Sequence, residues 1–231
     1  MDAGNSTINY SKRALNLYLV LAGLFIATLV TCNLIANKFV TVDLGFHTFV
    51  ISAGVLPYPL TFLITDILSE IYGRKNTSRV VYSGFAALVL VMIILHVGNI
   101  FDSIPGSPIN NEQYAEVFAN SRRVILSSMI AYLVAQLVDV RLFHFWKRLT
   151  KGKHLWLRNN ASTFLSQGVD TTLVVFVLFY DREPINIILA YIGSGWLFKI
   201  ICAFFDTPLF YISAYIAQRK LNLQPGEEIR F

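Results

Sequence analysis

Long apolar stretches separated by short polar connections dominate this sequence. A bilayer core of roughly 30 Å needs about 20 helical residues to cross it, and six stretches reach that length. Period-2 alternation of apolar and polar residues is absent, which argues against a β-barrel. The pattern predicts an all-α membrane protein in which residues 1–231 form one domain of six transmembrane helices. The predicted spans are Leu15–Asn37, Thr48–Ile71, Val80–Ile100, Val124–Phe145, Ala161–Tyr180 and Ile187–Ala217.

The longest connection is Asn99–Ser121, whose composition is typical of turns. It contains Pro105 and Gly106, and a short helix is predicted around Glu112–Ala119. We expect this loop to lie on the outer side of the membrane.

Composition supports the membrane assignment. Hydrophobic residues make up 55% of the chain and charged residues 14%, with a mean hydropathy of +0.56, whereas a soluble domain has about 25% charged residues. The first apolar stretch is too long for the core of a signal peptide, so it is expected to remain as an uncleaved span. Cys32 and Cys202 lie inside predicted spans, and we expect both to be packing residues and not a disulfide.

The distribution of lysine and arginine predicts the orientation of the chain. Basic residues cluster before the first span and after the second, fourth and sixth, which places both termini in the cytoplasm. The net charge of +5 therefore reflects membrane topology, and nucleic acid is not expected as a partner. The clusters are Lys12 and Arg13; Arg74, Lys75 and Arg79; Lys147, Arg148, Lys151, Lys153 and Arg158; and Arg219, Lys220 and Arg230.

Ionisable residues inside the predicted spans are the main functional signal. A charge near the centre of a bilayer costs about 2.5–3.5 kcal/mol even on the most lenient scale, so such residues usually line a cavity or pair with one another. Several of them in one small protein favour a transport function for a polar ligand or ion. They are Asp66, Glu70, Asp170, Lys199 and Asp206.

In the second span, Phe62, Asp66 and Glu70 are four residues apart and share one helix face. The face is a candidate substrate-binding surface. An alternative for Glu70 is an ion pair with Arg74, one turn further along the helix.

Upstream of that face, Pro57 and Pro59 flank Tyr58. Each proline lacks an N–H donor and disrupts a helix, so a broken helix with free carbonyl groups is predicted here. Broken helices at membrane depth are tolerated where they line a cavity or are packed in protein.

The fifth span carries Thr163, Ser166, Gln167 and Asp170 on one helical stripe. Asp170 falls near the middle of the span, where water reaches it least. Gly168 permits close helix approach, so polar contacts between helices are an alternative for the hydroxyl groups. That alternative accounts poorly for an aspartate.

The sixth span places Trp196, Lys199 and Asp206 on roughly one face, and Pro208 is expected to kink the helix. Lys199 is suited to neutralise either Asp170 or Asp206. Such a pair is weak evidence for stability, but it also holds a carboxylate in its ionised form.

Two further pairs lie near span ends. Asn33 and Asn37, one turn apart, add amide groups to the first span. Asp139 and Arg141 do not share a face and are interpreted as charges at the cytoplasmic end of the fourth span.

Carboxylates, amides and aromatic rings together suit a flat polar ligand. A carboxylate that accepts two parallel N–H donors can bind the edge of a guanine-like ring, while aromatic side chains stack on its face. Spacing alone does not distinguish one flat heterocycle from another. The aromatic residues nearest in sequence to the polar positions are Tyr58, Phe62, Tyr72, Phe164 and Trp196.

Five fragments carry a resemblance to a known family: residues 33–38, 59–66, 70–74 and 166–171, and Lys199 together with residues 206–208. In this order they resemble the bacterial queuosine precursor transporters. The resemblance implies an inner-membrane importer of 7-cyano-7-deazaguanine or 7-aminomethyl-7-deazaguanine for salvage into the tRNA base queuosine. It also implies an architecture similar to the substrate-binding subunits of energy-coupling-factor transporters.

The resemblance further suggests roles for single residues. Gln167 and Asp170 would bind the ring edge, Glu70 or Asp66 would be the second carboxylate, and Lys199 would balance charge or donate to the substrate. The matching positions are Asn33, Asn37, Lys38, Phe62, Asp66, Glu70, Gln167, Asp170, Lys199 and Asp206.

Other functions remain open at this stage. The energy source is undecided between facilitated uptake, proton coupling and a separate ATPase, since the chain has no P-loop motif of its own. The alternative substrate is another heterocycle or vitamin taken up with such an ATPase module. An enzyme is not expected, because HExxH is absent and the four histidines are dispersed. No metal or cofactor is expected, and a scaffold role and a homodimer both stay open.

Overall fold

The computed structural model describes residues 3–36, 38–45, 48–118, 122–151, 153–224 and 227–229. Within them, five helical segments are long and apolar enough to cross a membrane. The elements in chain order are α1 (Ala3–Leu34), β1 (Phe39–Asp43), β2 (Thr48–Ser52), a 3-10 turn (Ala53–Val55), α2 (Tyr58–Ile100), α3 (Asn111–Phe118), α4 (Arg122–Leu149), α5 (Leu155–Phe179) and α6 (Ile185–Leu221).

Helix α2 joins the predicted second and third spans around a corner at Gly73. This residue has φ 73° and ψ 171°, which is not helical and is essentially confined to glycine. The corner divides α2 into a first arm, residues 58–72, and a second arm, residues 74–100. A side chain at this position would also meet the carboxylate of Glu228.

Contacts with α1 show that the two arms run in opposite directions. The segment leading into and along the first arm is antiparallel to α1, and the second arm is parallel to it. The contacts pair Ala14 with Tyr72 and Cys32 with Gly54 before the corner, and Tyr18 with Asn76 and Phe25 with Gly84 after it. The arms therefore fold back on each other and form a helical hairpin.

The segment between α1 and α2 corrects two predictions. A span was predicted to begin at Thr48, but Thr48–Ser52 pairs antiparallel with Phe39–Asp43 in a β-hairpin. The all-α prediction is therefore wrong for these residues. Both runs are rich in β-branched side chains, which favour strands, and Gly45 has the positive φ of 81° that the turn needs.

The prolines near Tyr58 begin a helix and do not break one, so the predicted broken helix is wrong at this place. Pro57 is the N-cap residue of α2 and Pro59 lies in its first turn, where a missing N–H donor costs nothing. Helix α6 continues past Pro208 to Leu221. The predicted helix in the long loop is confirmed as α3, although Ala119 lies outside the described residues.

The apolar core fills the space between α1, both arms of α2, α4 and the end of α6. Its large members include Phe25, Leu68, Ile71, Phe143 and Phe210. Cys32 is buried and Cys202 half-buried, and both are free thiols as predicted. The opposite side of the first arm faces α5, and there the buried side chains are polar.

Candidate functional site

Buried polar side chains of α5 form a column that faces the first arm of α2 and α4. The column runs from Arg158 to Asp170, about 18 Å along the helix axis. Five of these buried residues define what we call the polar column: Arg158, Thr163, Ser166, Gln167 and Asp170. The α5 stripe predicted from the sequence is therefore buried as expected.

At one end of the polar column, Asp170 joins three helices. Lys199 of α6 donates to Asp170 Oδ2 at 2.5 Å, and the Tyr58 hydroxyl of α2 donates to Asp170 Oδ1 at 3.2 Å. The Lys199 ammonium lies 5.0 Å from the centroid of the Tyr58 ring, a cation–π distance. The Phe62 ring packs edge-on against Tyr58, with centroids 5.6 Å apart. We call these four residues the Asp170 cluster.

The Asp170 cluster is a charge-balanced site with aromatic walls. The carboxylate is 4% exposed and Lys199 is 8% exposed, so both charges depend on each other more than on water. Of the two partners proposed for Lys199, the structure selects Asp170. Asp206 lies elsewhere on α6, half-buried.

Next to this cluster are buried polar atoms that no described residue satisfies. They are Gln167 Oε1, one turn from Asp170 on α5, and Thr171 Oγ1. A buried acceptor without a partner costs about 1–3 kcal/mol. An acceptor and a hydroxyl beside an ionised carboxylate are able to bind the polar edge of a ligand.

One level further along, Asp66 of α2 faces Asp139 of α4. The hydroxyl of Thr163 lies 3.5 Å from Asp66 Oδ2, and the hydroxyl of Ser166 donates to Asp139 Oδ1 at 2.8 Å. Asp139 is fully buried. Its interpretation as a charge at the end of a helix is therefore wrong, because the packing of α4 against α5 encloses it.

Gln136, one turn before Asp139, extends the same face of α4. Its amide donates to the Thr61 hydroxyl at 3.3 Å and its carbonyl oxygen accepts from Thr65 at 3.2 Å. It thus fastens α4 to the first arm of α2.

The far end of the polar column holds a second ion-pair group. Glu70 Oε1 is 2.6 Å from the Arg158 guanidinium and accepts from Gln218 at 3.3 Å, while Glu70 Oε2 is 3.4 Å from Lys147. Lys147 also binds Glu228 at 2.9 Å. We call these five residues the Glu70 cluster.

The contacts of Glu70 do not include the ion pair with Arg74 that the sequence suggested. Its carboxylate pairs with cations of α4 and α5, while Arg74, the partner proposed from the sequence, is exposed. The amide N–H of Ile229 donates to the carbonyl oxygen of Ile71 at 2.7 Å, which brings the C-terminal segment onto the same end of the bundle.

Two further predicted site residues, Trp196 and Asn33, lie apart from these clusters. Trp196 is 36% exposed, donates to the Phe164 carbonyl at 2.9 Å and covers Gly168 on the outside of α5. Asn33 donates to Leu29 of its own helix at 2.9 Å. Asn37 lies outside the described residues, and the neighbouring Lys38 is exposed.

Sequence reasoning missed four residues of the polar column and its partners. Arg158 and Lys147 were assigned to a cytoplasmic connection because the predicted spans end at Phe145 and begin again at Ala161. In the structure α4 continues to Leu149 and α5 begins at Leu155. The spacing contained a signal: Arg158, Ser162 and Ser166 are four residues apart and share one face. Gln136 and Asp139, three residues apart on α4, gave a similar one.

The chain matches a family of known description. Residues 52–213 match the family described as "Putative vitamin uptake transporter". No solved structure matches the chain significantly.

Three curated bacterial proteins are similar to this chain. The "Probable queuosine precursor transporter" of Bacillus subtilis is 28% identical over 176 residues, 76% of this chain and 73% of that protein. The "Queuosine precursor transporter" of Escherichia coli is 28% identical over 155 residues, covering 67% and 63% of the two chains. A Haemophilus influenzae protein with the same name as the Bacillus one is 24% identical over 196 residues, covering 81% and 77%.

The family match spans the first arm of α2, α4, α5 and most of α6, which supply the polar column and the residues that contact it. The apolar helices and bacterial relatives indicate a multi-pass protein of the bacterial inner membrane. A buried polar column inside such helices is the expected framework of a transporter, and the chain belongs to the family described as "Putative vitamin uptake transporter".

Proposed function

We propose that this protein imports queuosine precursors, with 7-cyano-7-deazaguanine and 7-aminomethyl-7-deazaguanine as its substrates. The names of the three relatives support this substrate class. The observation that carries the proposal is the buried Asp170, held by Lys199 and Tyr58, with the unpartnered acceptor of Gln167 one turn away.

The chemistry of a deazaguanine fits these groups. Its polar edge presents adjacent N–H donors, which suit a carboxylate oxygen and an amide oxygen. Lys199 keeps the carboxylate charged and is itself a donor for a carbonyl or nitrile group. Tyr58 and Phe62 supply flat apolar surface beside the carboxylate. Asp170 and Gln167 thus bind the ring edge, and Tyr58 and Phe62 contact its face.

The proposal includes a topology of six crossings with both termini in the cytoplasm. The hairpin at Gly73 gives α2 two arms; the second arm crosses the membrane once, and the first arm crosses it together with the segment that precedes it. The basic residues around that corner, in the α4–α5 connection and after α6 then lie together in the cytoplasm. This arrangement also supports the similarity to the substrate-binding subunits of energy-coupling-factor transporters that the resemblance implies.

A thermal-stability assay tests the substrate and the site together. Purified protein in detergent is heated with each of the two deazaguanines, with guanine and with biotin. A ligand at 100 times its Kd stabilises the folded state by about 2.7 kcal/mol. We expect a higher Tm with the deazaguanines, a loss of that shift in Asp170→Asn, and no loss in Asp102→Asn.

Asp102 is the matched control because it undergoes the same change in the exposed loop before α3. A shift with biotin and none with the deazaguanines would favour uptake of a vitamin, the alternative that the family description suggests. A deazaguanine shift that persists in Asp170→Asn would place the substrate away from the Asp170 cluster.

A further inference from the structure

Two aspartates between the ion-pair clusters form no ion pair with any residue that the structure describes. Asp66 is 1% exposed and Asp139 is fully buried. They come from α2 and α4 and face each other at one level of the bundle, since their hydroxyl partners Thr163 and Ser166 lie one turn apart on α5. Neither belongs to the Asp170 cluster or to the Glu70 cluster.

The hydrogen bonds leave one oxygen free on each carboxyl group. Thr163 contacts Oδ2 of Asp66, and Ser166 donates to Oδ1 of Asp139. The remaining oxygens, Asp66 Oδ1 and Asp139 Oδ2, have no partner in the described part of the chain. Two ionised carboxylates contain only acceptors, so they can bind each other only when one carries a proton.

The surrounding charges disfavour two ionised groups at this level. Asp206 of α6 adds a third acidic group that repels Asp66. Arg158 of α5 attracts Asp66 electrostatically, but its ion pair at 2.6 Å is with Glu70, one turn away on α2. Like charges a few ångströms apart in a medium of low dielectric repel strongly, and such pairs retain one proton.

We propose that Asp66 and Asp139 share one exchangeable proton, and that its uptake and release couple substrate import to the proton gradient. This inference rests on the proposed function and adds an energy source to it. In each cycle one carboxylate oxygen gains a proton from the outer side, and the resulting O–H bond later breaks to release the proton to cytoplasmic water. The net movement is one proton inward with each substrate.

The aspartate pair contacts the part of α5 that also carries Asp170, and this position suits the coupling. Ser166, which holds Asp139, lies one turn from Asp170, which binds the proposed substrate. Both sites therefore contact the same stretch of α5, and a shift of this helix on substrate binding changes the contact between Asp66 and Asp139.

Infrared spectroscopy tests the shared proton without any substrate. Wild-type protein in lipid at neutral pH is expected to show the C=O stretch of a protonated, buried carboxyl group. The band is expected to change its frequency in Asp66→Asn and in Asp139→Asn, since either change replaces one carboxyl group of the pair by an amide. Glu112→Gln, an equivalent change at an exposed position of α3, keeps it.

Uptake into proteoliposomes tests the coupling. With labelled 7-cyano-7-deazaguanine, one proton per substrate gives about tenfold accumulation for each unit of pH gradient, acid outside. A protonophore should abolish this accumulation, and both asparagine variants should lose it, while Glu112→Gln keeps it.

The two assays separate the failure of this inference from the failure of the proposed function. A wild-type spectrum without the carboxyl band overturns the shared proton, whatever the variants do. Net uptake of labelled substrate that ignores a pH gradient, or responds to a sodium gradient, overturns the coupling. Absence of any exchange or uptake, with the band present, overturns the substrate and leaves the proton pair standing.

Discussion

The Asp170 cluster and the Glu70 cluster lie about 18 Å apart along the same helices and are built differently. Glu70 faces two cations, Arg158 and Lys147, and accepts a further bond from Gln218. Asp170 has one cation and one phenol, and Gln167 beside it keeps an unpartnered oxygen. Glu70 therefore has two cations for one negative charge, whereas Asp170 has one.

We propose that this difference separates a structural role of the Glu70 cluster from a binding role of the Asp170 cluster. Every additional donor on Glu70 ties another element to the end of the bundle, and polar contacts between elements make a protein rigid. Glu70 Oε2 lies near Lys147 but accepts no hydrogen bond from a described residue. At Asp170 the single ion pair keeps the charge while further hydrogen-bonding groups remain for a ligand. Equal burial and equal charge therefore do not imply equal function.

The largest expected effects come from removing a cation from either buried cluster. In the Glu70 cluster, Arg158→Met leaves Lys147 as the only cation beside the carboxylate, and removal of one partner from a buried ion pair costs about 3–5 kcal/mol. We expect a loss of this size in the free energy of unfolding, measured in mixed micelles. Arg74→Ala, at the exposed arginine, is the control and should cost less than about 0.5 kcal/mol. A larger loss in the control would return Glu70 to the pairing with Arg74.

The Asp170 cluster should lose about as much stability when it loses its cation. Lys199→Met leaves the Asp170 carboxylate with Tyr58 as its donor and with no cation, so the same cost of about 3–5 kcal/mol is expected. In Asp170→Asn with Lys199→Met both charges are gone, so most of the stability should return, because neutral replacement of a buried pair is often harmless. The stabilising effect of a deazaguanine should stay absent in both variants. A double variant as unstable as the single one would show that this cluster, too, is mainly structural.

The smallest effect is expected at Glu228, the outermost member of the Glu70 cluster. Its side chain is 33% exposed, and ion pairs reached by water contribute about 0–1 kcal/mol. Glu228→Gln should therefore lower the free energy of unfolding by no more than that, and the difference should shrink in high salt. A loss above about 2 kcal/mol would mean that the C-terminal segment is as essential to this end of the bundle as Arg158.

Periodicity and length gave most of the helical framework, because apolar runs of membrane length allow few alternatives. Thr48–Ser52 was placed in a span because a short apolar run fits a strand as well as a helix. Thr48–Ser52 is a strand because it pairs with Phe39–Asp43, and the pattern within the run itself does not show that pairing. The corner at Gly73 was predicted as a connection, but a single residue suffices for it.

The site was predictable where an ionisable residue interrupts an apolar run, as Asp170 and Lys199 do. It was not predictable where a charge lies beyond the end of such a run. The sequence places Arg158 and Lys147 in a loop, whereas in the structure they lie within α5 and α4 and are buried. Asp139 lies inside its predicted span but was discounted, because its partner Asp66 is distant in sequence and only the fold brings the two together.

The pairing of Glu70 has a consequence for the biosynthesis of the protein. Lys147 follows Glu70 by 77 residues and Gln218 follows it by 148. At about 5–20 residues per second, Lys147 leaves the ribosome roughly 4 to 15 seconds after Glu70. The hairpin around Gly73 is thus made while its glutamate has no counter-ion, and we expect its first arm to reach its final depth only when α4 and α5 arrive.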